Sequence, residues 1–240
     1  MQITLLILVL NERTSLEAVV PELLRVKNKK NFDKMLAIDG GSTDGSVEYL
    51  KKKEIQVIIQ DKDKPGRGAA FLLALEKIET DAFIFFSPDG NEEIKDIAKF
   101  RSFLNKGSDL VIASRMMEES RNEEDKYIIK YRKWANLVFN WLANIVFNKN
   151  KLKITDSING FRAIKKNAME KLNLSSQDFT IEYQMTIRAM QKNFVISEFP
   201  TFEGDRIADS SKAKTIPTGV RFLKVFIQEL SIYFKYRKKN

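Results

Sequence analysis

Five short apolar runs, rich in branched residues, punctuate the first half of the chain: Ile3 to Leu10, Met35 to Ile38, Ile55 to Ile59, Ala82 to Phe86 and Leu110 to Ala113. Helix-like stretches separate them, so the pattern is βαβα. Runs this apolar suit strands buried on both faces, which points to a mostly parallel sheet sandwiched between helices. Ligands of such sheets sit beyond the carboxyl ends of the strands, so the residues after each run carry the functional information.

Asn11-Glu12-Arg13 follow the first run and "DGGSTDGS", Asp39 to Ser46, the second; "SPDGN", Ser87 to Asn91, follows the fourth and Ser114-Arg115 the fifth. Any one of these could be an ordinary turn. Four on one rim point to a site. A carboxylate at a strand end, as at Asp39, can accept a hydrogen bond from a base or ribose. "GRGAA" at Gly66 to Ala70 could bring backbone close to a ligand, although neither a Walker A loop nor a GxGxxG fingerprint is present.

Composition removes several chemistries. The 240 residues include no cysteine and no histidine, which excludes disulfides, thiolate zinc sites, imidazole bases and Ser-His-Asp catalysis. Catalysis must use carboxylates, amides, hydroxyls, Lys or Arg. The net charge of +9 favours acidic partners. The basic residues are dispersed and no nucleic-acid-binding motif accompanies them, so no nucleic-acid partner is expected. No stretch reaches the roughly 18 apolar residues of a membrane span.

The second half begins with the charged loop "EESRNEEDK". Lys130 to Asn148 then places Tyr131, Trp134, Val138, Trp141 and Ile145 at helical spacing, for packing in the core or for facing a membrane. A helical stretch near Thr180 to Lys192 and a strand near Phe194 to Phe199 follow. From Val220 to Tyr236, Phe222, Leu223, Phe226, Ile227, Leu230, Tyr233 and Phe234 fall on one side of a helix, with basic residues on the other. This tail either lies in a membrane interface or docks on protein. The simplest division is one domain over residues 1–215 with an amphipathic basic helix over 216–240.

Eight motifs in order carry a resemblance: Asn11-Glu12, "IDGGSTDGS", "GRGAA", "SPDGN", "DLVIASR" ending at Arg115, "DSINGFRA" from Asp156, "FTIEYQM" around Glu182, and "ISEFPTFEGDRIADSSK" ending at Lys212. Together they resemble the family 2 glycosyltransferases of GT-A fold, in the branch of dolichyl-phosphate mannose synthase and polyprenyl-phosphate glycosyltransferases. That resemblance implies an α/β, Rossmann-like GT-A domain and an inverting, metal-dependent hexosyltransferase. It implies a UDP- or GDP-sugar donor, a polyprenyl-phosphate acceptor and work at the cytoplasmic face of a membrane.

The resemblance also assigns residues. Asn11, Glu12, Asp39 and Ser87 would line the nucleotide pocket, bordered by Gly66, Gly68 and Ala69. The family usually has Asp-X-Asp where this chain has Ser87-Pro88-Asp89, so Asp89 with the amide of Asn91 would hold Mg²⁺ or Mn²⁺. Gly40 likewise replaces the second Asp of a common pair. Arg115, Arg132, Arg206, Ser211 and Lys212 would meet donor or acceptor phosphates, with a structural salt bridge as the alternative for any of the cations. Asp156 would be a base for a hydroxyl acceptor, a positioning residue for a phosphate acceptor, or a turn residue. Arg162 could pair with phosphate. A hydroxyl acceptor and a catalytically silent nucleotide-sugar-binding protein are the other two functions that fit.

Overall fold

The computed structural model describes residues 1–27, 30–126, 130–149, 153–207 and 215–237. Its centre is β1, Ile3–Val9, which pairs in parallel with β2, Lys34–Asp39, on one side and with β4, Ala82–Phe86, on the other. The third strand, β3, is Gln56–Ile59. Adding β5 (Leu110–Ser114), β6 (Arg162–Lys165) and β7 (Ile196–Pro200) gives a seven-stranded sheet in the order β3-β2-β1-β4-β6-β5-β7. Only β6 runs against its neighbours. The order turns back between β2 and β4, so the segments leaving β1 and β4 diverge and open a cleft.

The apolar runs are strands because both faces are covered. Along β4, Phe83 and Phe85 enter the core on one face while Ala82, Ile84 and Phe86 enter the core on the other, the two-residue alternation of a pleated strand. One face is roofed by α1 (Arg13–Lys27), α2 (Ser46–Lys52) and α4 (Ile97–Asn105). The opposite face carries α3 (Arg67–Lys77), α5 (Tyr131–Phe147), α6 (Lys166–Leu172), α7 (Ile181–Gln191) and α8 (Thr215–Arg237). Phe71 of α3 stacks on Phe85 at 3.6 Å between centroids.

One strand departs from the sequence reading, and two helices each take one of the alternatives it left open. Strand β6 went unrecognised because its four residues, RAIK, begin and end with a cation; it survives in the sheet interior because the Arg162 side chain is wholly buried in hydrogen bonds. The C-terminal helix docks on the core: Phe222 meets Phe139 and Tyr183, Phe226 meets Phe147, and buried Glu229 pairs with Arg188 at 2.7 Å. Finally, the five residues Tyr131, Trp134, Val138, Trp141 and Ile145 all lie exposed, so they are not α5's core-packing face. That helix instead turns its amides inward. Asn140 accepts from the Ser157 amide at 2.7 Å and Asn144 from the Ile154 amide at 2.9 Å, which pins the segment 154–157 beneath it.

Candidate active site

A cavity of about 620 Å³ opens at the carboxyl ends of β1, β2, β4 and β5. Asn11 and Glu12 line it after β1, Ser87, Asp89 and Asn91 after β4, and Arg115 after β5. Gly66 and Arg67 at the head of α3 form another wall, with Glu203 and Arg206 beyond β7. Helix α5 adds Arg132, Asn136 and Phe139 to the wall, and α8 adds Arg221 and Phe222. A volume of this order suits a small organic ligand, and the wall combines ionic groups such as Asp89 and Arg206 with the aromatic rings of Phe139 and Phe222.

The segment after β4 is built for close packing. Gly90 has φ +90°, and a Cβ there would collide with Ile207, so the turn requires glycine. The Asp89 carboxylate is only 8% exposed and pairs with Arg206. Burial raises its carboxyl above the usual carboxylate range, with Arg206 pulling the other way. Behind it, Glu92 is pushed up to about 8 by burial and then by the charge of Asp89.

Ser87, which stands where an acid would be usual, is the hub of a small network. Its amide donates to Glu92 at 2.9 Å and its hydroxyl accepts from Arg67 at 3.0 Å. Arg67 also pairs with Glu182, a buried carboxylate at the start of α7 rather than an exposed helix residue. Gly160 stands against this pair, since a Cβ there would strike the Arg67 guanidinium. Sequence reasoning missed Arg67, Glu92 and Glu203. Arg67 lay within "GRGAA", where the flanking glycines drew the attention.

Hard oxygen donors for a divalent ion are present but few. Among the described residues no three acidic, histidine or cysteine side chains are grouped to hold a metal. Asp89 supplies a carboxylate, and Asn91, whose amide nitrogen faces Glu203 at 3.4 Å, supplies an amide oxygen. A hard ion bound through two protein oxygens completes its shell with water and ligand phosphate, so the donor set fits Mg²⁺ or Mn²⁺ shared with a diphosphate.

Several assigned residues are placed elsewhere. Asp156 is fully buried and off the cavity wall: it takes Arg115 Nε at 2.8 Å and Nη2 at 3.1 Å, while Arg115 also reaches Glu203 at 3.2 Å. Burial alone would raise its carboxyl, yet the Arg115 guanidinium holds it below the ordinary value. A base for a substrate hydroxyl has to reach that hydroxyl, and this carboxylate does not.

Arg162 is corrected in the same way. It has no exposed surface, and its guanidinium donates to the carbonyls of Asn159 at 2.7 Å, Glu182 at 2.8 Å and Ser157 at 3.2 Å. Burial pushes it down to about 10, and no donor faces the cavity to take a phosphate.

Gly66 does border the cavity, whereas Gly68 and Ala69 serve packing. A Cβ on Gly68 would collide with the Ser176 carbonyl, and the Ala69 amide donates to the Gln177 carbonyl at 3.1 Å. Asp39 is also set back from the wall. One carboxylate oxygen accepts from the Gly41 amide at 2.8 Å and the Ser42 amide at 2.9 Å, while Oδ1 is buried without a hydrogen-bond partner. Asn11, at φ 51°, takes the Thr43 amide at 2.8 Å and so ties the β1 end to the β2 loop. Ser211 and Lys212 lie outside the described residues.

Comparison with known proteins agrees with this architecture. The chain is 25% identical over 201 residues to glycosyltransferase AglJ of Haloferax volcanii, covering 82% of this chain and 63% of that one. It is 25% identical over 218 residues to the dolichol-phosphate mannosyltransferase of Pyrococcus furiosus, covering 89% of this chain and 60% of that one. The chain thus spans less than two thirds of the length of both relatives. Among solved structures, glucosyl-3-phosphoglycerate synthase of Mycobacterium tuberculosis, in complex with Mn²⁺, uridine diphosphate and phosphoglyceric acid, superposes with a TM-score of 0.76. That match has 15% identity and covers 95% of this chain and 78% of the other, so it speaks for a shared GT-A fold. The profile of glycosyl transferase family 2 matches residues 4–172, and the chain belongs to that family.

Proposed function

We propose that this chain transfers a hexose from a UDP- or GDP-sugar to a polyprenyl phosphate at the cytoplasmic face of a membrane, with inversion at the anomeric carbon. The observation that carries the reading is the make-up of one cavity wall. Asp89, Asn91 and Arg206 from the segments after the strands share it with Arg132 and Phe139 of α5 and Arg221 and Phe222 of α8. Of the relatives named above, the dolichol-phosphate mannosyltransferase supports a sugar transferase with a lipid-phosphate acceptor.

In this reading the nucleotide lies over the ends of β1 and β2. Asp39, whose unpartnered Oδ1 is buried behind the wall, would accept from the base only where the bound nucleotide displaces what covers it, and Asn11 would tie the end of β1 to the β2 loop. Asp89 and the amide oxygen of Asn91 would hold Mg²⁺ or Mn²⁺, whose chemistry there is to offset charge gathering on the leaving diphosphate. Arg206 would turn from Asp89 toward the same phosphates. Arg115, fixed in orientation by Asp156 and Glu203, presents its positive charge to the cavity without moving. Arg132 would receive the acceptor phosphate. That phosphate is ionised near neutral pH and needs no base, which agrees with Asp156 being locked away from the cavity.

The test is equilibrium binding of UDP and GDP with and without Mg²⁺ or Mn²⁺, in the native protein and in Asp89→Ala. Metal-enhanced binding of one nucleotide that Asp89→Ala loses supports the assignment. Equal affinity in both proteins contradicts it.

A further inference from the structure

Every residue of α5 that is mostly turned to solvent is apolar or aromatic, each about half exposed: Tyr131, Trp134, Leu137, Val138, Trp141 and Ile145. A helix on the outside of a globular protein normally turns charged residues to water, and α5 does the reverse, with its amides facing inward. The spacing 131, 134, 138, 141, 145 lines five of these six along one ridge. Helix α8 adds exposed Val220, Leu223, Ile227 and Phe234. Phe139 meets Phe222, and two turns on Phe147 meets Phe226, so the helices run side by side in one direction. At about 100° per residue, Val138 and Leu223, one step back from one contact and one step on from the other, then face the same side of the pair.

We propose that this α5 ridge, flanked by α8, is a docking surface for an anionic lipid bilayer. Three observations favour lipid over a second copy of the chain. Tyr and Trp at the exposed positions are the residues that settle at a membrane interface, where one end of the ring is apolar and the other wet. The exposed charges on the two helices themselves are all positive. Helix α5 has no acidic residue, the only one in α8, Glu229, is buried against Arg188, and the exposed charges of α8 include Arg221, Lys224 and Lys235. Lys130 and Lys133 at the head of α5 are met by Asp125, and Arg221 by Asp178 at 3.2 Å. Two copies meeting ridge to ridge would oppose like charges, whereas an anionic surface complements them. The third observation is position: Arg132, Phe139, Arg221 and Phe222 of the same helices wall the cavity. Among the described residues no helix is long and apolar enough to cross a membrane.

This deepens the lipid-acceptor reading, and its test is independent of that reading because it uses vesicles without polyprenyl phosphate and measures docking alone. Trp134 and Trp141 are the two tryptophans of the chain, so intrinsic emission reports the ridge directly. Titrated with equimolar phosphatidylglycerol and phosphatidylcholine vesicles, the full chain should cosediment, its emission should shift to the blue, and brominated phosphatidylcholine should quench it. Vesicles of phosphatidylcholine alone should bind at least about tenfold more weakly. The double variant Val138→Glu, Ile145→Glu, which keeps both tryptophans, should lose cosedimentation and the shift while keeping a cooperative thermal transition and nucleotide binding. Two results overturn the proposal. One is emission already blue and shielded without vesicles, with a doubled mass by light scattering, which would give the ridge to a second copy. The other is a folded monomer whose emission no vesicle alters.

Discussion

Asp156→Asn separates a positioning carboxylate from a catalytic base. The native carboxylate takes the Arg115 backbone amide at 3.1 Å, its Nε at 2.8 Å and its Nη2 at 3.1 Å, and the Asn159 amide at 3.1 Å. The variant keeps the shape but turns one acceptor into a donor that faces a buried guanidinium. Breaking a buried ion pair costs about 3–5 kcal/mol. Glu203, 3.2 Å from the same guanidinium, retains part of the compensation, so a loss of about 2–4 kcal/mol is expected. Urea unfolding measures it as a lower midpoint at unchanged slope.

The pH dependence gives a second readout. The Asp156 carboxyl is held lower in the folded protein than its ordinary value, so the folded state binds fewer protons there. Its contribution is then complete above the unfolded pKa, near 4, and drains away as pH falls through the lower folded value. The stability difference between native protein and Asp156→Asn should therefore be flat from neutral pH to about 5 and shrink below 4. Unchanged stability with abolished transfer would refute this reasoning and restore Asp156 as a base.

The other predictions use separate contacts. Gly68→Ala drives a methyl into the Ser176 carbonyl, so backbone must shift, and calorimetry should register a loss of about 1–3 kcal/mol with nucleotide binding little changed. Asn140→Leu strands the Ser157 amide and the Thr155 carbonyl beneath α5, and should lower stability by about 1–3 kcal/mol for each buried group left unpaired, read by thermal unfolding. Chelation should abolish sugar transfer, with added Mg²⁺ or Mn²⁺ restoring it in native protein and not in Asp89→Ala; transfer that persists in chelator would remove the ion from the reaction.

The sheet was legible in the sequence wherever a strand is buried on both faces, since an apolar run such as Ala82–Phe86 has one plausible home. It was illegible at Arg162–Lys165, where a charged strand is paid for by partners twenty and more residues away, at Glu182 and Thr186. The same distinction governs the site. Asn11, Glu12, Asp89 and Arg115 follow strands directly, and the fold brings them to one cavity. Asp156 and Arg162 carry the same chemical types in an equally suggestive motif, but whether a charge meets ligand or protein depends on what packs against it. Arg115 and the carbonyls of Asn159 and Glu182 turned both inward. The α5 ridge shows the limit of periodicity, because spacing locates a stripe and only neighbouring helices decide which side of it faces out.

Transfer itself tests the central claim most directly. Labelled hexose from a panel of UDP- and GDP-sugars would be followed into an organic-extractable polyprenyl-phosphate product, with Mg²⁺ or Mn²⁺ and with chelator. Metal-dependent label in the lipid phase, absent in Asp89→Ala, is the predicted result. Label appearing only in water-soluble glycan, or nucleotide binding without any transfer, would contradict it.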